Sequence, residues 1–524
     1  MERDRRLTTV DGVNGSLSVR RVRSVWSRGL LLGLVVVAGC ASLHPDDWNN
    51  RRLARSATET SIARCLGVFE AVEGAVARAG VGDAQAVPVP GFPYLRADRF
   101  LASFAGESLS EAAFAAWTGR LADLADQARA IELANLPVSE QQGLDAALGE
   151  TAADAAARCA RILRDSDQAA PDLQAALSSA VRVPDSYLAW QRVLGLYPLS
   201  AVPVALSYRL WRARYLAGFG NAHRAVFSDR ERQVYVPTAK LAAMAEPEPA
   251  GSLAGAAADA LGQVLVDDSE KARLAVRFAP VLSVETASDD DRIGAPYWTE
   301  DRRIALDLAD PVVFYHFSFT RFGAKTLVQI SYQAWFPARP VTGPIDLLGG
   351  LLDSVIWRVT IDPDGRPLIY DTIHGCGCYH LFFPVPPATL APPPDDIREH
   401  AFAPAQAPVL AADQQVRLEL ASISHYLVGI GVADQAIMGA RGYRLADASS
   451  LRSLPFPGGG RRSLYGPDGL VAGSERRERW LLWPMGVESP GAMRQWGNHA
   501  TVFVGRRHFD DARLLEQVLT IPEQ

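Results

Sequence analysis

One short segment of the chain carries most of the side chains that could do chemistry. His374, Cys376, Cys378 and His380 alternate with two glycines and a tyrosine, at a step of two residues. On an extended strand, residues at that step project from one face. Imidazole and thiolate ligands favour zinc or copper over calcium or magnesium, which prefer oxygen. We therefore predict that this cluster binds zinc or copper.

The length of an extended strand limits how the cluster could bind one ion. Four positions at this step span about 20 Å, whereas ligand bonds are about 2.0–2.3 Å long. The strand must therefore curl at its glycines, so that two or three of the four side chains bind. His316, His425 and His499 lie on or beside other predicted strands and are candidates for a remote ligand or a general base. Asp346 or Asp353 could orient a ligating histidine.

Other interpretations of the same cluster stay open. Cys376 and Cys378 could form a strained, redox-active disulfide across one residue. A zinc ion held by four protein ligands would be structural, and an open coordination position would be needed for an enzyme. The thiols could also be buried in a packed strand end. The sequence does not indicate a substrate.

A shorter motif within the cluster resembles that of a known enzyme family. His374, Gly375 and Cys376 match three residues of the Ser-His-Gly-Cys motif of L,D-transpeptidases. Ile373 stands where that family has serine, and Cys378 stands where it has arginine. The resemblance implies a cysteine nucleophile in an enzyme of the bacterial envelope.

The cluster lies in a half of the chain whose apolar residues alternate as they do in strands. Residues 312–320, 327–336, 354–361, 416–430 and 501–504 are rich in β-branched and aromatic residues, which predicts strands. The sequence Asp-Pro-Asp-Gly at 362–365 predicts a hairpin turn. The acidic run 289–291 is interpreted as a solvated loop. Residues 281–524 are thus predicted to form a β-rich domain that carries the His/Cys cluster.

The first half of the chain shows a helical period instead. Residues 50–245 are rich in alanine, with apolar residues at three- and four-residue steps, which predicts a helical domain. Residues 246–280 are predicted to be a linker and a bridging helix. The fold class is therefore predicted to be α+β, with an N-terminal helical bundle followed by a mostly antiparallel sandwich or open barrel. Cys65 and Cys159 fall on predicted helices and are predicted to form a disulfide.

The N-terminus has the pattern of an export signal. Four arginines precede ten mostly apolar residues at 29–38, too few to span a bilayer, and Val-Ala-Gly-Cys follows at 37–40. This resembles the lipobox of bacterial lipoproteins, which implies that residues 1–39 are removed and that Cys40 is acylated. Residues 40–49 would then be an anchor and tether. Ala41 and Ser42 favour the outer membrane, with the protein facing the periplasm.

The net charge and the distribution of arginines limit which classes of partner the chain is expected to bind. The chain has 524 residues and a net charge of −6, which argues against nucleic acid as a partner. Eleven arginines lie between Arg441 and His508, and arginine recognises carboxylates and phosphates. The alternative to a metal-binding protein is therefore a non-catalytic lipoprotein with an arginine-rich surface that docks an anionic envelope component.

Overall fold

The computed structural model describes residues 45–55, 59–220, 231–238, 253, 255–411, 414–433 and 439–522. Three predicted features lie outside these residues. They are the signal peptide at 1–39, the acylation site at Cys40 and residues 246–252 of the linker. The described chain has a mixed α and β fold with a large curled sheet of ten strands.

Helices dominate the first half of the described chain, and shorter ones follow later. In chain order the α-helices are α1 (Pro45–Arg55), α2 (Glu59–Ala79), α3 (Arg99–Ala102), α4 (Glu111–Ala134), α5 (Val138–Leu148), α6 (Ala152–Gln168), α7 (Leu173–Ala180), α8 (Ala189–Leu194), α9 (Tyr197–Gly218), α10 (Asp268–Phe278), α11 (Glu478–Leu482) and α12 (Leu514–Val518).

The strands are concentrated after residue 280. They are β1 (Val87–Val89), β2 (Phe92–Ala97), β3 (Arg232–Pro237), β4 (Val281–Glu285), β5 (Ala295–Trp298), β6 (Ile304–Asp307), β7 (Val312–Phe322), β8 (Lys325–Arg339), β9 (Gly350–Ile361), β10 (Pro367–His374), β11 (Leu381–Pro384), β12 (Thr389–Leu390), β13 (Val416–Leu420), β14 (Leu427–Val432), β15 (Arg441–Asp447), β16 (Leu454–Pro455), β17 (Arg461–Arg462) and β18 (Leu519–Thr520).

A disulfide joins two of the N-terminal helices, as the sequence predicts. Cys65 on α2 and Cys159 on α6 are bonded, with their Cα atoms 4.9 Å apart. Both cysteines are fully buried in an apolar cluster that also contains Trp117 and Leu121 of α4. The bond therefore ties together helices that already share a core.

The large sheet has the strand order β11-β10-β9-β8-β7-β15-β3-β4-β13-β14. Strands β7 to β11 form an antiparallel meander, and β15 then runs parallel to both β7 and β3. Strand β13 is parallel to β4 and antiparallel to β14. The sheet is thus mixed, with its antiparallel part holding the predicted chemical cluster.

The two faces of the meander bury different side chains. On β8, Ile330, Tyr332 and Ala334 face an apolar cluster, to which α9 and α10 also contribute. The alternate residues Ser331 and Gln333 face the other side and are also buried. This second face is covered by segments of the chain rather than by solvent.

Several predicted elements differ from those in the structure. The strand predicted over 416–430 is a hairpin of β13 and β14, because Ile423 and His425 adopt left-handed φ values of 65° and 51°. Residues 501–504 form no strand, although Ala500 makes an isolated bridge with His508. Strand β3 lies within the range predicted to be helical and pairs with β4. The predicted hairpin at 362–365 is confirmed, and β9 pairs with β10 around it.

Candidate functional site

The predicted cluster begins at the end of β10 and then turns. The amide of His374 donates to the carbonyl of Cys378 at 2.9 Å, and the amide of Gly377 donates to the carbonyl of His374 at 2.7 Å. Gly377 has a left-handed φ of 92°, which L side chains rarely adopt. The segment 374–378 is therefore a tight turn, and its side chains point in different directions.

His374 joins His425 through a shared carboxylate. Nδ1 of His374 lies 3.5 Å from Oδ1 of Asp353, and Nδ1 of His425 lies 2.8 Å from Oδ2 of the same residue. Nε2 of His425 lies 3.3 Å from Asp291. The expectation that Asp353 would orient a histidine of the cluster is met by these contacts, and all four side chains are buried.

The two histidines of this group have opposite pKa shifts. Burial lowers the pKa of His374 despite the favourable charge of Asp353. Burial acts in the same direction on His425, but hydrogen bonds to Asp291 and Asp353 outweigh it and raise its pKa. His425 is also stacked on the ring of Phe336, with centroids 3.9 Å apart. The group therefore resembles a buried carboxylate–imidazolium–carboxylate bridge.

Asp291 is a residue whose role the sequence interpretation missed. The acidic run was interpreted as solvated, but Asp291 is fully buried. It completes a capping box with Ser288 at the start of a short 3-10 helix, and it accepts a hydrogen bond from the amide of Ile423. The spacing of Ser288 and Asp291 is itself a capping signal, which could have indicated an ordered acid.

The two cysteines of the turn are unbonded. Cys376 is buried in an apolar cluster with Trp335, Leu352 and Met493. The amide of Cys378 donates to Sγ of Cys376 at 3.4 Å. The interaction between the thiols and the burial of Cys378 raise its pKa well above the ordinary value. A protonated thiol is a poor nucleophile, so Cys378 is not activated. The nucleophile that the L,D-transpeptidase resemblance implies is Cys376, which is buried among apolar side chains, and that role stays a prediction.

His380 belongs to a different group on the other side of the sheet. Its Nε2 lies 2.8 Å from Oδ2 of Asp371, and Asp371 is also paired with Arg358 through two hydrogen bonds of 2.9 and 2.6 Å. Burial lowers the pKa of His380 to about 4. Arg358 also donates to the carbonyl of Phe509 at 2.5 Å. Arg358 and Asp371 thus satisfy each other, whereas Nδ1 of His380 has no hydrogen-bond partner in the described part of the chain.

A row of polar residues crosses four strands on the same face. Ser331 pairs with His316 on β7 and with Arg358 on β9, and Arg358 pairs with Asp371 on β10. Directly opposed residues of neighbouring strands have their side chains on one face. The predicted residue His316 therefore lies on a buried polar surface that extends to the group around His380.

A polar cleft opens over this row between the helices and the sheet. It has a volume of about 210 Å³. Its polar lining comes from β7, β8, α3, α4 and several loops. The polar residues and the tryptophan that line it are Gln85, Asp98, Arg99, Arg120, Asp123, Gln127, Gln263, His316, Ser318, Gln329, Trp496 and Asp510. Burial raises the pKa of Asp98 to about 6, and the charge of Asp510 adds to the effect.

A smaller inner chamber of about 30 Å³ adjoins the polar cleft. Gln85, His316 and Trp496 line both cavities, and Ser331 and His499 line the chamber. The structure thus brings His316 and His499 together. Burial lowers the pKa of His499 to about 3 and that of His316 to about 4, so both rings are neutral at pH 7.

Several buried polar atoms at these cavities lack a partner in the described part of the chain. They include Oγ of Ser318, Oγ of Ser331 and both ring nitrogens of His499. Leaving such a group unsatisfied costs about 1–3 kcal/mol, and native proteins leave few of them without a protein, water or ligand partner. A water molecule or a polar ligand in the cleft and its chamber would satisfy these atoms.

The arginines at these cavities are already paired. Arg99 lies 3.3 Å from Asp510, Arg120 lies 2.9 Å from Asp259, and Arg452 pairs with Asp83. The cleft therefore has no surplus of positive charge among its described residues. Its other polar groups are amides, hydroxyls, neutral imidazoles and the carboxyls of Asp98 and Asp123. Asp98 also accepts a hydrogen bond from the amide of Leu101, and Gln329 donates to Thr360.

The remaining predicted residues line a separate, more apolar pocket. This pocket has a volume of about 220 Å³ and includes Cys378, Tyr379 and His380 of the turn. Burial raises the pKa of Glu399 and that of Glu478, both of which line it, to about 7. Tyr208 and Trp211 of α9 form another wall.

The arginine-rich segment is partly internal. Arg452, Arg476 and Arg494 are buried and bind other parts of the chain; Arg476 donates to the carbonyls of Leu351 and Leu352. The exposed members include Arg444, which pairs with Asp310, and Arg477, which donates to the carbonyl of Pro344. Docking of an anionic partner by these arginines stays a prediction.

His374 and His425 thus share the carboxylate of Asp353, and His316 and His499 line the same inner chamber. Cys376 and His380 lie in different surroundings. Among the residues that the structure describes, no three histidine, cysteine or acidic side chains are arranged to hold a metal ion. Zinc or copper binding by the four predicted ligands together is therefore not supported by these contacts and stays a prediction.

No helix within the described ranges is long and apolar enough to cross a membrane. Comparisons with known proteins add no identity to this geometry: no protein family, curated protein or solved structure matches the chain.

Proposed function

We propose that this chain is a lipid-anchored envelope protein that binds a neutral, hydroxyl-rich ligand, a saccharide, in the polar cleft. The observation that carries the proposal is the set of orphaned polar atoms at Ser318, Ser331 and His499, which border connected cavities. Sugar hydroxyls both donate and accept hydrogen bonds, as such a mixed lining requires.

The composition of the cleft favours a saccharide over other ligands. Each arginine of the cleft lies within ion-pair distance of an aspartate, although Nε of Arg99 makes no hydrogen bond in the described chain. The cleft therefore has no arginine left over to neutralise a phosphate or carboxylate. Its amides and carboxyls are unsuited to an acyl chain. Trp496 is half-buried and lines both cavities, which offers an aromatic surface to a sugar ring. An engineered cavity of about 150 Å³ holds a benzene molecule, so this cleft has room for a single sugar ring.

Calorimetric titration of the full chain tests the proposal. The probes are two neutral monosaccharides, N-acetylglucosamine and glucose, and hexanoate as an apolar control. We expect heat of binding from at least one saccharide and none from hexanoate. Trp496→Ala should weaken binding roughly tenfold or more, and Trp480→Ala, an exposed tryptophan outside the cleft, should leave binding unchanged.

The outcomes separate binding from a structural role. Thermal unfolding of each variant shows whether the fold is retained. The proposal fails if no saccharide binds to the folded wild-type chain, or if a folded Trp496→Ala variant binds as tightly as the wild type.

The location rests on the N-terminal pattern that ends at Cys40. Stable anchoring needs two or more acyl chains, which acylation of a lipobox cysteine would provide. We expect mass spectrometry of the mature protein to find a diacylated or triacylated Cys40 at its N-terminus. We also expect Cys40→Ala to move the protein from the detergent phase to the aqueous phase, and an unchanged distribution would contradict the anchor.

A second candidate function is capture of a soft metal by the turn. What supports it is the contact between the amide of Cys378 and Sγ of Cys376, with both thiols free. Elemental analysis of the purified chain should then find zinc or copper, and Cys376→Ser and Cys378→Ser should lose it. His374→Ala serves as the matched control, because His374 is directed at Asp353. Absence of metal from the wild type would contradict this function.

We also propose that residues 59–180 form a helical bundle that precedes the β-rich domain. The shared core of α2, α4 and α6 and their disulfide support it. Cys65→Ala with Cys159→Ala should destabilise this bundle by about 2–4 kcal/mol. Hydrogen exchange would then rise across residues 59–180 and stay slow in β8 and β9. Equal loss of protection in both parts would show that they are one unit.

A further inference from the structure

A second surface of the molecule has no role in the saccharide proposal. The helices α8 and α9 expose large apolar side chains along one side. Leu199, Leu206 and Leu210 of α9 are 71%, 59% and 54% exposed. Their spacing of seven and four residues places them on one stripe of the helix. The opposite stripe of α9, which includes Ala201 and Ala205, is buried.

Two neighbouring segments extend the exposed stripe. Trp480 and Leu481 of α11 are 72% and 64% exposed, and Ile345 is 85% exposed. An open groove of about 600 Å³ joins Ile345 to Leu481 and Leu482. Leu482 also lines the apolar pocket beside Tyr208 of α9. We call the exposed parts of 190–216, 341–351 and 480–481 the apolar face.

The concentration of apolar side chains on this face is unusual. Of the 21 large apolar residues that are exposed in the described parts of the chain, 15 belong to the apolar face. Single exposed apolar residues are common on soluble proteins, but large contiguous patches mark interaction sites. The apolar face is therefore expected to be covered in the working protein.

The charge of the same region indicates what covers it. The described residues 186–220 contain four arginines and no aspartate or glutamate, although the chain as a whole has 59 acidic residues. Arg209 and Arg214 on α9 are exposed beside the apolar stripe. Apolar side chains flanked by arginines and tryptophans are typical of helices that lie in the interface of an anionic bilayer.

We propose that the apolar face lies on the surface of an anionic phospholipid membrane, with α9 parallel to the bilayer plane. In this orientation the apolar pocket beside Tyr208 faces the acyl chains. A second copy of the chain is a poorer occupant, because association through α8 and α9 would bring their arginines together, and these two helices contain no aspartate or glutamate. The contact does not depend on saccharide binding, since the cleft residues are not part of the apolar face.

Fluorescence quenching by brominated lipids tests the contact on the full chain. The chain is mixed with vesicles of phosphatidylethanolamine and phosphatidylglycerol, with or without brominated acyl chains. We expect the brominated vesicles to quench part of the tryptophan emission. That quenched part should shrink in Trp480→Phe and in Trp190→Phe, whose side chains are exposed, and should be unchanged in Trp117→Phe, whose side chain is fully buried.

A second set of variants tests the stripe on α9. Leu199→Glu combined with Leu206→Glu should reduce the quenching at least twofold, whereas Val138→Glu, exposed on α5, should not. Vesicles of phosphatidylcholine alone should quench less, because the arginines then lack anionic partners.

Three results would overturn the proposal. They are quenching that is equal in the wild type and both tryptophan variants, no quenching by anionic vesicles, or quenching that Leu199→Glu with Leu206→Glu leaves unchanged. Analytical ultracentrifugation covers the alternative occupant. A dimer that dissociates in the Leu206→Glu variant, together with absent quenching, would assign the apolar face to a second copy.

Discussion

The two faces of the β7–β11 meander are buried to similar extents but contain opposite chemistry. Neighbouring residues of one strand show the difference: Tyr332 faces the apolar cluster, whereas Ser331 faces the polar row and the inner chamber. On the side of the sheet that packs against the apolar cluster, the hydroxyl of Tyr332 donates to the carbonyl of Ala275 at 2.8 Å. On the polar face the hydroxyl of Ser331 has no partner in the described chain.

This contrast teaches where the molecule keeps unsatisfied hydrogen-bonding capacity. A protein that only needed stability would fill a buried face with apolar residues or complete its polar network. Here Arg358 and Asp371 satisfy each other, whereas Ser331 and His499 have no side-chain partner in the described chain. Single orphaned atoms also occur elsewhere, at Nδ1 of His380 and at Nε1 of Trp357 on the other side of the sheet. Ser331 and His499 line the inner chamber beside the polar cleft, which is why we assign ligand binding to that cleft.

The largest expected effect comes from breaking the buried pair of Arg358 and Asp371 on the polar face. Asp371→Ala leaves the buried guanidinium of Arg358 without its carboxylate partner, which should lower the free energy of unfolding by about 3–5 kcal/mol. Urea denaturation measures the change. Asp310→Ala removes an exposed partner of Arg444 and should cost only about 0–1 kcal/mol. Equal costs would contradict the assignment of a buried network.

The next effect concerns the buried bridge that His425 forms between Asp291 and Asp353. His425→Gln removes charge-assisted hydrogen bonds to Asp291 and Asp353 and should cost on the order of 2–3 kcal/mol at pH 6. Because folding raises the pKa of His425 above 6.5, its contribution is fully present below pH 6.5 and is lost as pH rises through the folded-state pKa.

Urea denaturation of the wild type and the His425→Gln variant at several pH values from 6 to 9 measures this dependence. The difference in the free energy of unfolding between the two proteins should shrink as pH rises. A difference that is constant over this range, or that grows with pH, would show that His425 is not charged in the bridge.

A smaller effect on stability is expected from the hydroxyl of Tyr332, which has a hydrogen-bond partner. Tyr332→Phe removes the hydrogen bond to the carbonyl of Ala275 and leaves that buried acceptor without its donor. The free energy of unfolding should fall by about 1 kcal/mol. Thermal unfolding would show a lower midpoint, and saccharide binding should be unaffected, because Tyr332 points away from the polar cleft.

The smallest effect on stability is expected at Ser331, the neighbour of Tyr332 on β8, and it should have the opposite sign. Ser331→Ala removes a buried hydroxyl that has no protein partner, so the ligand-free chain should be unchanged or more stable by up to about 1 kcal/mol. The same variant should bind the saccharide about fivefold more weakly, from one lost hydrogen bond. Calorimetry and unfolding on one preparation test both, and a destabilised variant would mean that the hydroxyl has a structural partner.

Local sequence patterns predicted the meander well. Strands β7, β8 and β9 and the turn at 362–365 follow from residue types that act over a few positions, and the structure has them at nearly the predicted bounds. The hairpin of β13 and β14 was predicted as one strand, because its apolar pattern continues through the turn. Only the left-handed backbone at Ile423 and His425 interrupts it, and such a conformation is not encoded by residue type when no glycine is present.

The site was predicted less completely. The step of two from His374 to His380 predicted a shared face that curls at its glycines. The turn is present at Gly377, but it separates the side chains instead of bringing them together. Asp353 was expected to orient a histidine, and it contacts both His374 and His425. Trp496 and Asp98, which line the polar cleft, were not predicted, because they are far apart in sequence and carry no motif.

The sequence by itself determined most of the local elements and the candidate cysteine pair in the helices, because local elements depend on residues close together and the pair lies on two predicted helices. The lipobox that ends at Cys40 stays a prediction. Tertiary structure alone decided which side of the sheet became an enclosed polar cleft. An alternating strand specifies two faces but not what covers them. Here the polar face, which would ordinarily face solvent, was covered by distant segments such as the one around Trp496, and that covering brought Ser331 and His499 to one chamber.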